Sequence, residues 1–182
     1  MFGTSKDIKN PGLNILPPGV ERHIVNGGAL TAFQIFPDDE IEIINDEGNQ
    51  ICEIICFNKD GKSELGILNL KENSQKNFIR DILNGKDETI LATNYQLKKR
   101  NLNIKESKSS IIFDIDTKPE EKIKLKSKDK CYVIFAAPGE DMDVTKQNPP
   151  TDLTIFIKRA KIINDKELSV IPDPVFEPFY EK

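Results

Sequence analysis

Few side chains in this sequence are suited to making or breaking bonds. There is one histidine, His23, and there are three cysteines, Cys52, Cys56 and Cys131. A zinc site of three imidazoles cannot be built in one copy of the chain, and a serine triad could use only His23. The odd number of cysteines rules out complete pairing within the chain. Cys52 and Cys56 flank Glu53 in the run Ile51-Cys52-Glu53-Ile54-Ile55-Cys56-Phe57, which reads as a strand. On a strand the two sulfurs share a face roughly 13 Å apart, and Glu53 takes the other face. That separation is too long for a disulfide. A tetrahedral metal site would need a bulge or a sharp bend. Buried, reduced thiols are the expectation; were a metal held, Cys52, Cys56 and Cys131 would be its ligands. A carboxylate at position 53 facing a cavity would suit a ligand's cation, whereas the plainer reading turns it outward, hydrogen-bonded to a turn. His23 reads as a surface or edge residue, and Asp141 and Asp143 as a solvated loop.

The elements expected to position these groups are mostly strands. Leu30–Phe36 is β-rich, Glu40–Ile44 alternates polar and apolar residues, and Ile51–Phe57 is apolar on both faces. Turn residues separate them at Pro37-Asp38-Asp39 and Asp46-Glu47-Gly48-Asn49, so the three read as an antiparallel meander. A helix capped at Asn73-Ser74 should run through Phe78, Ile79, Ile82 and Leu83, with Gly85 as its left-handed stop. Strand signals return at Asn101–Ile104, at Ile111–Ile115 as an inner strand, and at Lys122–Lys126. The three lysines of that last run mark an exposed edge. Cys131–Ala136, the most apolar run, should be central, and Leu153–Lys158 is the last strong strand. Eight or nine strands at this spacing predict a mainly β fold: an antiparallel β-barrel or sandwich with one or two short helices. Residues 1–170 read as a single domain. Residues 171–182 read as a proline-rich extended tail, because three prolines in seven residues exclude a helix or a central strand.

Composition narrows the function. The chain has 182 residues, with 26 basic and 30 acidic side chains giving a net charge of −4. A general nucleic-acid binder needs a basic excess, so none is expected as a partner. The N-terminal segment lacks an apolar run and nothing approaches ~20 apolar residues, so neither a signal peptide nor a membrane span is expected, and a cytoplasmic location follows.

Two segments resemble a known family. Phe36–Ile43 followed by Asp46–Phe57 resembles the hairpin of the urea-carboxylase-associated domain family: a Gly-x-Gln turn, an acidic residue, then an apolar strand ending in Phe. Ala137-Pro138-Gly139, Met142 and Pro149–Ala160 are similar to a stretch near the N-terminus of large aminomethyltransferase-like demethylases, which are similar to the glycine-cleavage T protein at their C-terminal end. The resemblance implies that this chain corresponds to the first of two tandem barrels. Pro172-Asp173-Pro174 would stand where the connector to the second lies. Gln50 and Glu53, the amide and carboxylate of the hairpin pattern, are the candidate ligand-binding residues. No catalytic residue is assigned. The tetrahydrofolate site would belong to a partner chain with a T-protein-like domain, leaving this chain a non-catalytic accessory subunit with no cofactor of its own; a homo-oligomer is the other assembly. The alternatives are a metal-dependent enzyme acting on a small amine, guanidine or methylated nitrogen compound, and a barrel binding a small molecule in its interior.

Overall fold

The structure, a computed structural model, describes residues 16–86, 88–139 and 149–161. Eight strands are present among them: β1 (Val20–Val25), β2 (Leu30–Ile35), β3 (Glu40–Asn45), β4 (Cys52–Asn58), β5 (Ser109–Phe113), β6 (Glu121–Lys126), β7 (Cys131–Ala136) and β8 (Leu153–Lys158). They form two four-stranded antiparallel sheets, of order β1-β8-β3-β6 and β2-β7-β4-β5. β1 pairs with β8, β2 with β7, β3 with β6 and β4 with β5, as though one long hairpin had been rolled up. This is the double-sheet jelly roll, the sandwich form of the expected class rather than a closed barrel.

The expected meander is not there. β2, β3 and β4 fall where the sequence pattern put them, but they alternate between the sheets and none pairs with the next. The reason lies in their side chains. β2 is buried on both faces, with Phe33 and Ile35 turned to the space between the sheets and Leu30 and Ala32 to the other side. A strand apolar on both faces belongs between two layers. The core between the sheets is built from residues such as Phe33, Ile43, Ile54, Val133, Phe135 and Ile155.

The second layer over the β2-β7-β4-β5 sheet is helical. Helix α1 (Phe78–Leu83) and helix α2 (Glu88–Lys99) lay Ile79, Leu83 and Leu97 against Ile55, Phe57 and Ile134. α1 starts later than its expected cap: Asn77 accepts from the Arg80 backbone N–H, while Ser74 turns to Glu53. Gly85 is not left-handed, and Asn84, the C-cap, is right-handed. α2 has no counterpart in the sequence reading, because only Thr93 and Leu97 are buried along its length and no apolar stripe announces it. Asn101–Ile104 is not a strand but a turn leading into a 3-10 turn at Ile104–Glu106. β5 is at the sheet edge rather than inside. Its free edge is covered by Asn73, whose amide accepts from the Ile111 N–H at 2.7 Å and donates to the Ile111 carbonyl at 3.0 Å. β7 is central and β6 is an edge strand with its lysines exposed, as expected, and β8 is central too. Asn10-Pro11-Gly12, the loop with Asp141 and Asp143, and the tail from 171 lie outside the described residues.

Candidate functional site

Alternation puts Cys52, Ile54 and Cys56 on the inter-sheet face of β4 and Glu53 on its helical face. Glu53 does turn away from the inter-sheet core, yet it is not on the surface: α1 encloses it completely. Its carboxylate accepts from the Ile79 N–H at 2.7 Å, the Ser109 hydroxyl at 2.6 Å and the Ser74 hydroxyl at 2.9 Å. A carboxylate under the first turn of a helix takes an otherwise orphaned N–H and faces the positive end of the peptide dipoles. Glu53 therefore clasps α1 and the Ser74 loop to β4 and β5.

Gln50 is buried and makes a similar clasp. Its amide donates to the carbonyls of Ile51 and Pro138, both at 2.9 Å, and accepts from the Thr151 N–H at 2.7 Å. It joins the β3–β4 turn to the segment leaving β7 and the one entering β8. Asp152 at that entry accepts from the Gly27 N–H at 2.9 Å, so the turn is held from across the fold.

The three thiols are free and fully buried on the inter-sheet face. Cys56 and Cys131 are diagonal neighbours on β4 and β7. Cys56 donates a hydrogen bond to Cys131, and accepting it lowers the pKa of Cys131. That bond and the loss of solvent push the Cys56 thiol well above its ordinary value. Burial, with the nearby Glu53 charge, does the same at Cys52. Cys52 and Cys56 are held as neutral thiols. Glu53 lies across the sheet from them. Among the described residues no three His, Cys, Asp or Glu side chains come together as metal ligands.

The strongest electrostatic cluster has no signature in the sequence. Arg159, just past β8, has a side chain only 3% exposed. Its Nε and Nη2 donate to the two oxygens of Glu21 at 2.7 and 3.1 Å, a bidentate pair. Its Nη1 donates to Asp39 at 2.7 Å and to the Gln34 carbonyl at 2.9 Å. Asp39, itself buried, accepts from the Phe36 and Ala160 N–H groups at 3.0 and 2.9 Å. Glu21 also meets His23 at 3.0 Å, and the His23 ring lies 4.6 Å from that of Phe33. Burial raises the Glu21 carboxyl, but hydrogen bonds from His23 and Arg159 more than reverse this and hold it at about 2. The cluster ties β1, the end of β2, the β2–β3 turn and β8 at one end of the sandwich. His23, on the edge strand β1, is half-buried and has Glu21 as its hydrogen-bond partner.

The outer face of the β1-β8-β3-β6 sheet presents most of its side chains to solvent, with Ile44 and Thr154 as buried exceptions. The register sets them in three rows. Val20, Lys158, Glu40 and Lys126 form the first; Arg22, Phe156, Glu42 and Lys124 the second; Ile24, Thr154, Ile44 and Lys122 the third. Five cations stand against two carboxylates in this grid. Lys124 pairs with Glu42 at 3.2 Å and Lys158 with Glu40 at 3.6 Å, while Lys126 reaches Asp38 in the neighbouring turn at 2.9 Å. Among the described residues Arg22 and Lys122 form no ion pair. Phe156 is half-buried at the middle of the grid and Ile24 is 43% exposed. A shallow recess of about 310 Å³ opens there, lined by Val20, Phe156, Lys124 and the two glutamates among others. Among the described residues no element covers this face, whereas the outer face of the other sheet carries α1 and α2.

No family model matches the chain. Over 171 residues, 94% of its length, it is 30% identical to trimethylamine-oxide aldolase of Ruegeria pomeroyi (strain ATCC 700808 / DSM 15171 / DSS-3). Those residues span 22% of that protein. The chain is thus related in sequence to one segment of a much longer enzyme.

Proposed function

We propose that this chain is a non-catalytic docking module, of the urea-carboxylase-associated type, for a small-amine demethylase system. In this reading it is the counterpart of the N-terminal barrel of aminomethyltransferase-like demethylases. Its partner is a chain with a T-protein-like, tetrahydrofolate-binding domain, which performs the chemistry. The relationship to about a fifth of trimethylamine-oxide aldolase supports a module rather than a whole enzyme.

The observation that carries the reading is the contrast between the two outer sheet faces. One is roofed by the chain's own helices. The other presents Phe156 near its middle and Ile24 at its β1 edge, among five cations and two glutamates. Interfaces are built this way, from an apolar core within a polar ring. The excess of cations calls for an acidic partner surface, and complementary charge of this kind speeds encounter and fixes orientation. The groups that might otherwise do chemistry are engaged inside the fold: Glu53 and Gln50 in hydrogen bonds to the chain itself, the thiols in the core.

The test has two parts. The purified chain is mixed with the T-protein-like chain of the same genome and run by size-exclusion chromatography at low and high salt. Co-elution that weakens with salt, and is lost in Arg22→Glu/Lys124→Glu, is expected. The isolated chain is also subjected to elemental analysis and assayed with methylated amines. Stoichiometric zinc together with turnover would replace the docking reading by the metal-dependent enzyme.

A further inference from the structure

The helical layer holds a second recess, which the docking reading does not use. α1 and α2 are pinned together at the turn between them. A Cβ on Gly85 would lie 2.4 Å from Ile90 Cδ1, and Asn94 donates to the Leu83 carbonyl at 2.7 Å. From there α2 rests on the body through Thr93 and Leu97 and leaves Leu91 57% and Tyr95 62% exposed. Between α1, α2 and the 102–105 segment a cleft of about 460 Å³ opens. Small-molecule sites are commonly ~300–1,000 Å³ and mostly apolar, with a few convergent polar groups.

The lining matches that description. Leu83, Leu97 and Leu102 supply an apolar wall, and the exposed Leu91 and Tyr95 extend it. The charged side chains in the lining are Arg80, Lys98 and Lys105, all cationic, with no carboxylate among them. Among the described residues none of the three forms an ion pair. Arg80 is the telling one. Its Nε is enclosed without a hydrogen-bond partner, and its Nη2 reaches the Ser107 carbonyl only at 3.5 Å. A guanidinium carries five N–H donors in a fork suited to a carboxylate or phosphate, and here most of that capacity is unanswered.

We infer that this cleft binds an anionic amphiphile, a carboxylate or phosphate monoester on an apolar body, with the acid group at Arg80 and its neighbouring lysines and the body along Leu91 and Tyr95. The inference is independent of the docking reading, since it concerns the opposite layer of the molecule. It is tested on the full chain by titration calorimetry with decanoate, decyl phosphate, decyltrimethylammonium and inorganic phosphate. Saturable one-to-one binding of decanoate or decyl phosphate is expected; which of the two is tighter distinguishes a carboxylate from a phosphate ligand. The ammonium amphiphile should bind at least about tenfold more weakly, and inorganic phosphate should not bind. Leu91→Asp, on an exposed position that leaves the core intact, and Arg80→Gln should each weaken decanoate binding by about tenfold or more, the scale of one lost favourable contact. Thermal melts of both variants check that they remain folded. Equal affinity for the anionic and cationic amphiphiles, unchanged affinity in both variants, or no binding by either acid would overturn the inference.

Discussion

Arg159 is the residue on which most of the buried charge depends. Replacing it by Met would keep a long apolar stem but leave Asp39 enclosed without its cation. Removing one partner of a buried pair costs about 3–5 kcal/mol. Urea denaturation of Arg159→Met should show a loss of that order, and Asp39→Asn a smaller one. Glu21 gives the cluster a pH dependence. Its carboxyl is held at about 2 in the folded chain, below the ordinary 4.5. Stability from this group is therefore fully present above pH 4.5 and is lost as pH falls toward 2. The Glu21 side chain is 25% exposed, so the effect is roughly 1 kcal/mol once screening is allowed for. Thermal melts of wild type and Glu21→Gln should differ at pH 6 and converge near pH 2. None of this was legible in the sequence. Arg159 is 120 positions from Asp39 and 138 from Glu21, and no spacing rule links residues so far apart. Glu53 was legible as an anomaly, a carboxylate in an apolar strand, but its partners Ser74 and Ser109 were not, because they come from a loop and from the neighbouring strand.

At the scale of elements, alternation located the strands well, since period-two patterning reports burial of one face directly. It could not report pairing. Short turns after β2 and β3 suggested hairpins, but each strand's partner comes from the far end of the chain. The extra apolar face of β2 was the available hint that these strands alternate between layers. α2 was illegible because a helix that buries two residues carries almost no periodic signal. Two consequences are measurable. Glu53→Ala removes three hydrogen bonds to an enclosed carboxylate, so it should destabilise the fold by about 2–4 kcal/mol and speed amide exchange in α1 before that in β7. Gly27 sits where the β1–β2 turn meets the entry to β8, and a Cβ there would lie 2.3 Å from the Pro150 carbonyl oxygen. Gly27→Ala must push one segment away, at a cost of about 2–3 kcal/mol in urea denaturation.

As a whole molecule the chain is two β layers and a helical layer, with one outer β face left bare by the described residues. The mainly β class was legible from strand count and spacing. The docking face was legible only in fragments: the lysines at 122, 124 and 126 read as a defended edge, and nothing placed Arg22, Phe156 or Ile24 beside them until the register did. An edge defence and a docking face make different demands on the same lysines. The most direct test is therefore a reactivity footprint. The chain is acetylated with limiting reagent, alone and in the presence of the T-protein-like chain, and lysine modification is read by mass spectrometry. Protection of Lys122, Lys124 and Lys158, with Lys98, Lys99 and Lys105 on the helical layer unchanged, is the expected result. Protection confined to the helical layer, or none at a concentration where the two chains co-elute, would contradict the account.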